Sequence, residues 1–331
     1  MTLMRDHAAS RAMRCVIAAL GLLAAMGGAC GQTYPEKPIR LLVPYPPGGA
    51  TDFGARVLAQ FLPPLLGQSL VVDNRSGAGG NVGTAIGARA APDGYTLLVV
   101  SEAPVTINPS VYAKVGYDPL RDIPAITQLI RYPMLVVVHP TLPVASVAEL
   151  ARHAIANPGS VRFGHPSVGT MPHLAGELFQ LRTRSVLTGV SYKGAGPAIV
   201  SLLGNETQVS FASPASALAH VRGARLKALA VTSRERYAPV PELPTAGEAG
   251  VADFDVSGWV GLFAPRGVSP KILDRVYTDV VKVLRMQEAR DMILGSGSEV
   301  SATSTAEFQE RIRVEHALWA KVVKDVGIKV E

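Results

Sequence analysis

Cysteine is almost missing from this chain: of 331 residues, only Cys15 and Cys30 carry a thiol. Both fall within the first thirty residues, so no disulfide can form in the rest, which must be held by its own core. About 300 residues is ample for that, and enough for two lobes. A membrane-crossing helix needs about 20 apolar residues, and the apolar stretch over residues 15–26 is 12 long. Nucleotide signatures are missing too. There is no G-K-[ST] phosphate loop, and after Gly77 and Gly79 the next place of a dinucleotide fingerprint holds Val82. Catalytic signatures fail in the same way. Ser167 stands three residues after Gly164, where a nucleophile elbow requires two. The seven histidines form no H-E-x-x-H pair, and His165 and His173 are expected to be structural or to line a cleft. No catalytic residue, metal or cofactor is therefore expected. Basic residues are scattered, which excludes a nucleic-acid footprint.

What is there begins with a leader. Arg5, Arg11 and Arg14 against the single acid Asp6 precede the apolar stretch, and small residues, Gly27, Gly28, Ala29, Cys30 and Gly31, follow it. That order is a secretory signal peptide over residues 1–31. Cys30 as a lipid-anchored residue is the alternative, but Gly27 stands where a lipobox has a large aliphatic residue. The expectation is a soluble, exported chain starting near Gln32. The net charge is +6. The leader supplies +2 of it (three Arg minus one Asp), and the remaining +4 suits an anionic ligand.

Strand-like and helix-like segments alternate along the body, with continuously apolar strands such as residues 39–43, 97–100 and 135–138. This pattern predicts parallel sheets covered by helices. Helices are expected from Thr51 or Asp52 as N-cap, over 82–90, 147–156 and 197–203, from Pro172, and over 272–284, 287–294 and 305–326. The rhythm pauses over 104–133 and again over 245–260. Crossings between lobes near 131–138 and 245–260 would make residues 32–132 and 254–331 one lobe and 133–253 the other.

The sharpest local signal is the turn Gly48, Gly49, Ala50, Thr51, Asp52 between a strand and a helix. Ligands of α/β sheets sit at the carboxyl ends of strands beside helix N-termini, where unpaired N–H groups and the helix dipole favour negative charge. A tight turn alone explains one glycine more readily than two followed by a cap. Ser76, Gly77, Ala78, Gly79 and Gly80 repeat the design after the second strand. Ser167, Gly169, Thr170 and Gly194 do so in the middle of the chain. Paired turns on two lobes suggest a cleft that clamps one anion.

Residues 34–40, 43–52, 73–81, 92–98, 138–140, 173–179, 192–197, 228–233, 244–250 and 319–329, in that order, resemble one family: the substrate-binding proteins of tripartite tricarboxylate transporters, often called Bug proteins. The resemblance implies a periplasmic α/β protein of type II, Venus-flytrap architecture, two α/β lobes with a cleft between them, which captures a small carboxylate without chemistry. It also implies membrane transporter subunits as partners and a monomeric chain; a sensing role beside a signalling system is the alternative, and a hydrolase or isomerase using Asp52 or His173 as base a weaker one. Carried over residue by residue, the resemblance points to Tyr45, the two glycine turns, Ser101 and Glu102 from one lobe. From the other it points to Ser167, Gly169, Thr170, His173, Tyr192 and Gly194. Many relatives have an acid after the residue matching Phe211; here Ala212 and Ser213 follow. A ligand with an amino group is therefore disfavoured, and a plain di-, tri- or aromatic carboxylate favoured.

Overall fold

The computed structural model describes residues 34–252 and 254–327. The leader, its cleavage region and the tail from residue 328 lie outside them. The chain divides after Glu36, and its body runs from Lys37 onward.

Two sheets organise the body. β1 (Ile39–Val43) is followed by α1 (Ala50–Phe61) and α2 (Pro63–Leu66); β2 (Leu70–Asn74) by α3 (Asn81–Ala88); β3 (Thr96–Ser101) by a π turn over Ala103–Ile107, α4 (Asn108–Val111) and α5 (Pro119–Asp122). β4 (Ala125–Pro133) runs almost directly into β5 (Leu135–Val138). Then come α6 (Val147–Ala156), β6 (Arg162–His165), α7 (Met171–Thr183), β7 (Thr188–Ser191), α8 (Ala195–Leu203), β8 (Val209–Ala212), α9 (Pro214–Arg222) and β9 (Lys227–Val231). β10 (Ser257–Phe263), α10 (Pro270–Arg285), α11 (Gln287–Gly295), β11 (Glu299–Val300) and α12 (Thr305–Val326) complete the described chain. The strand orders are β11-β4-β10-β3-β1-β2 in the first lobe and β7-β6-β8-β5-β9 in the second.

The sheets are mixed, where the sequence predicted parallel ones. β1 lies parallel to β2 and β3, and β6 parallel to β7 and β8. β10 runs antiparallel to both β3 and β4, and β5 antiparallel to β8 and β9. The cause is topological. β5 and β10 enter their sheets directly from the opposite lobe, without the crossover helix that makes a neighbour parallel. The pause over 104–133 hides β4, whose residues are nearly all buried. It contains Thr127 and Gln128, fully buried polar residues that break the apolar run.

The first lobe packs Leu98, Val100, Trp259, Phe263, Phe308 and Ile312 into one cluster. Trp259 and Phe308 meet edge to face with centroids 5.0 Å apart. Full burial of such a ring contributes about 2 kcal/mol. The second lobe has its own core around Leu135, Val137, Leu202, Ala217 and Val231. α12 begins where its pattern predicts. Ser304 Oγ accepts the Glu307 N–H at 3.2 Å while the Glu307 carboxylate accepts the Ser304 N–H at 2.9 Å, a reciprocal cap.

The two crossings are knotted together at Thr232, which is fully buried. Its Oγ1 accepts the Met134 N–H at 2.8 Å and donates to the Val256 carbonyl. Its own N–H donates to Met134 O at 2.9 Å, and its carbonyl accepts the Val256 N–H at 3.0 Å. Met134 and Val256 lie on the two connections, so one side chain joins both.

Candidate functional site

Between the lobes lies a chamber lined by Tyr45, Pro46, Gly49, Ala50, Thr51, Ser101, Glu102, Tyr132, Met134, Pro166, Thr170, Pro172, Ala195 and Ser213. No Lys, Arg or His stands among these lining residues. Part of its polarity comes from backbone. Gly49 caps α1, Thr170 caps α7, Gly194 caps α8 and Ser213 caps α9, so four helix N-termini converge on one space. The first N–H groups of a helix have no partner within it, and each N-terminus carries roughly half a positive charge. Anion binding needs no more than this.

The α1 cap differs from the one expected. Helical geometry starts at Ala50 with Gly49 as the capping residue, and neither Thr51 nor Asp52 caps it. Asp52 turns away from the chamber and braces the turn. It accepts the Gly48 N–H at 3.1 Å, Asn74 Nδ2 at 3.1 Å and Arg56 Nε at 2.8 Å. Burial pushes its pKa up, but these hydrogen bonds outweigh it and hold the carboxyl below its ordinary range. Asp52 and Gly48 thus shape the turn, while Gly49, Ala50 and Thr51 face the chamber.

The second glycine turn opens into a neighbouring, larger chamber. There Ser76, Gly77, Ala78, Gly79 and Gly80 face Ser167, Tyr192, Lys193 and Gly194. Tyr45, Pro46 and Pro166 belong to both chambers and form the wall between them. The Tyr45 hydroxyl donates to Gly79 O and accepts from Ser101 Oγ, both at 3.0 Å. Gly80 makes this possible. Its φ is +98°, and a Cβ there would stand 2.9 Å from the Tyr45 ring. The two turns are therefore joined through a tyrosine rather than through one shared space.

A third, smaller space adjoins the first and shares Pro166, Pro172, Ala195 and Ser213 with it. Ala212 lines this side chamber. Gly169 and His173 line none of the three. His173 packs against His165 with centroids 4.4 Å apart, and its Nδ1 accepts the Gly169 N–H at 3.4 Å, holding the 167–170 turn from behind. Burial pushes His165 down to about 4 and His173 to about 3.

Among the described residues, Glu102 is the one acid lining the chamber, and it is 3% exposed. It follows the last residue of β3, and Trp259 of β10 donates its N–H to Glu102 Oε2 at 3.0 Å. Burial pushes the carboxyl up to about 7. Tyr132, Met134, Pro172 and Ala195 are lining residues the sequence did not single out. The first two sit on the β4–β5 connection, whose strand was not foreseen. In the sequence Pro172 marks only the start of a helix, and Ala195 only a turn before the helix expected over 197–203, which in the structure starts at Ala195 itself.

The lobes also touch at their rims. Tyr112 donates its hydroxyl to Val168 O at 3.0 Å, and Arg222 donates to Gly295 O at 2.9 Å. Gly194, with φ +122°, approaches Pro46 so closely that a Cβ would lie 2.7 Å from that ring.

Comparison with known proteins gives a consistent picture. Residues 54–328 match the family described as tripartite tricarboxylate transporter family receptor. Protein BugT of Bordetella pertussis is 36% identical over 321 residues, covering 96% of this chain and 98% of BugT. Among solved structures, R. palustris Rpa4515 with adipate superposes with a TM-score of 0.87 at 34% identity, covering 89% of this chain and 99% of that one. MatC (Rpa3494) from Rhodopseudomonas palustris with bound malate gives 0.83 at 28% identity, over 88% and 100%. The periplasmic binding protein BugD gives 0.86 at 31%, over 90% and 100%.

Proposed function

Because this chain belongs to the tripartite tricarboxylate transporter family of receptors, we propose that it captures a small di-, tri- or aromatic carboxylate in the first chamber and presents it to membrane transporter subunits. The observation that carries this reading is the convergence of four helix N-termini on a chamber lined by no cationic side chain. A carboxylate accepts hydrogen bonds from α1 through Ala50 and Thr51, with Thr170 and Ser213 facing it from the second lobe. The adipate and malate of the two similar structures support the same ligand class.

Capture is conformational. Contacts such as Tyr112 to Val168 exist only when the lobes are together, so a ligand touching both lobes favours the closed state. The lobes divide at residues 132/133 and 253/254, the chain acts as a monomer, and it works in the periplasm after loss of residues 1–31. The second glycine turn supports the wall through Tyr45, and the side chamber at Ala212 accommodates part of a bulkier, apolar ligand.

The test is a thermal-shift screen of the purified mature chain over mono-, di-, tri- and aromatic carboxylates. A ligand at 100 times its Kd adds about 2.7 kcal/mol of stability. A panel without any stabilising member would refute the reading.

A further inference from the structure

We propose that Glu102 serves the ligand chamber as a carboxylic acid, donating its proton to an oxygen at the far end of the bound carboxylate. It thereby selects ligands that present an acceptor oxygen there over ligands that present an ammonium. The inference rests on the reading of the chamber as a carboxylate site and assigns one residue within it.

Among the described residues, no Lys, Arg or His lines the chamber beside Glu102. From β10, Trp259 donates its backbone N–H to Oε2. The segment after β1 and strand β4 bring the hydroxyls of Tyr45 and Tyr132 into the same chamber, and burial, first of all, holds both phenols well above their ordinary range. Behind Trp259 stand Glu315 and Arg311 of α12. Glu315 accepts the Trp259 indole N–H at 2.7 Å and Arg311 Nε at 2.7 Å, and Arg311 also reaches Gln128 Oε1 at 3.1 Å. That cation is committed to its own partners. Burial of Glu102 outweighs the Trp259 N–H and Arg311, which favour its ionised form, and Glu315 opposes ionisation.

An ionised Glu102 would meet a ligand carboxylate as a like charge in the same water-poor space. A protonated Glu102 turns that repulsion into a hydrogen bond, of the strong charge-assisted kind if the ligand oxygen is anionic. Burial already raises this carboxyl to about 7, so the proton is available near neutrality. An acceptor on the ligand raises the affinity for that proton further.

Glu102→Gln is nearly isosteric and keeps a donor at the same place, so it separates the acid from the carboxylate role. Two measurements follow. Infrared difference spectra of unliganded wild type against Glu102→Gln read the carboxylic-acid carbonyl stretch between pH 5 and 9. Calorimetry reads binding of adipate, of 6-aminohexanoate and of the most stabilising member of the carboxylate panel at pH 6 and 8. The expected results are an acid band that fades around neutrality and wild-type carboxylate affinity that falls about tenfold from pH 6 to 8, as the protonated fraction does. Glu102→Gln binds the same carboxylate with little pH dependence. Three outcomes would each overturn the inference: no acid band at pH 6, the same pH slope in both proteins, or 6-aminohexanoate binding tighter than adipate and lost in Glu102→Gln. If no carboxylate binds either protein while the acid band is present, the receptor reading has failed rather than the protonation of Glu102, and the inference goes with it.

Discussion

The hydroxyl of Tyr112 and the carbonyl of Val168 meet at 3.0 Å across the cleft, tying the end of α4 to the turn before α7. Tyr112 caps α4 in extended geometry and so projects out of the first lobe. The bond exists only while the lobes are together.

Tyr112→Phe removes that bond and the hydroxyl's interaction with Ser167. A single hydrogen bond of this kind contributes about 1 kcal/mol. Carboxylate affinity is expected to drop about fivefold by calorimetry, chiefly through faster release. The unfolding free energy of the unliganded chain in urea should fall by at most about 1 kcal/mol, since only the closed form contains the bond.

Gly49 offers a graded test of the chamber. Its φ is −102°, which any residue adopts, and a Cβ there would lie 3.5 Å from Ala195 Cβ, an ordinary contact. Gly49→Ala is expected to bind nearly as well as wild type. Gly49→Leu fills the space between the α1 and α8 N-termini and should abolish detectable binding, with the circular dichroism spectrum unchanged.

Asp52→Asn addresses the brace of the α1 turn. Losing the charge costs about 1 kcal/mol of folding stability at pH 7, because Asn keeps part of the hydrogen bonding. The folded carboxyl titrates below its unfolded value, so its contribution is complete above about pH 4 and vanishes as pH falls through the folded pKa. Urea unfolding of both proteins should show a gap at pH 7 that narrows as the pH falls below the ordinary carboxylate range.

Thr232→Val leaves the shape of the knot but deprives the Met134 N–H and the Val256 carbonyl of partners. A buried, unsatisfied group costs about 1–3 kcal/mol, so a loss of about 3 kcal/mol is expected in urea unfolding. Thr232→Ser restores the hydroxyl and should recover most of it.

Much of this was legible before any coordinates. The helices over 147–156 and 305–326 stand at the residues their patterns predicted, because a capping Ser begins each one. α9 went unnoticed, since Pro214 and small residues carry a weak apolar stripe. Strand direction was also hidden: β5 and β10 have the apolar composition of parallel strands, and only their entry from the other lobe reverses them. At the site, the glycine spacing located the turns but not the tyrosine between them. Tyr45 joins Ser101 and Gly79 over separations of 56 and 34 residues, a relation no local pattern contains.

The four convergent helix ends have a consequence for how such a chain can change its diet over generations. Positive charge made of peptide groups belongs to the path of the backbone, and every residue except proline supplies the same N–H. Replacing a side chain at Thr170 or Ala195 alters a wall and leaves the handle in place. A descendant can thus trade one acid for another by drifting at a few contact positions, without passing through an intermediate that has forgotten how to hold an anion.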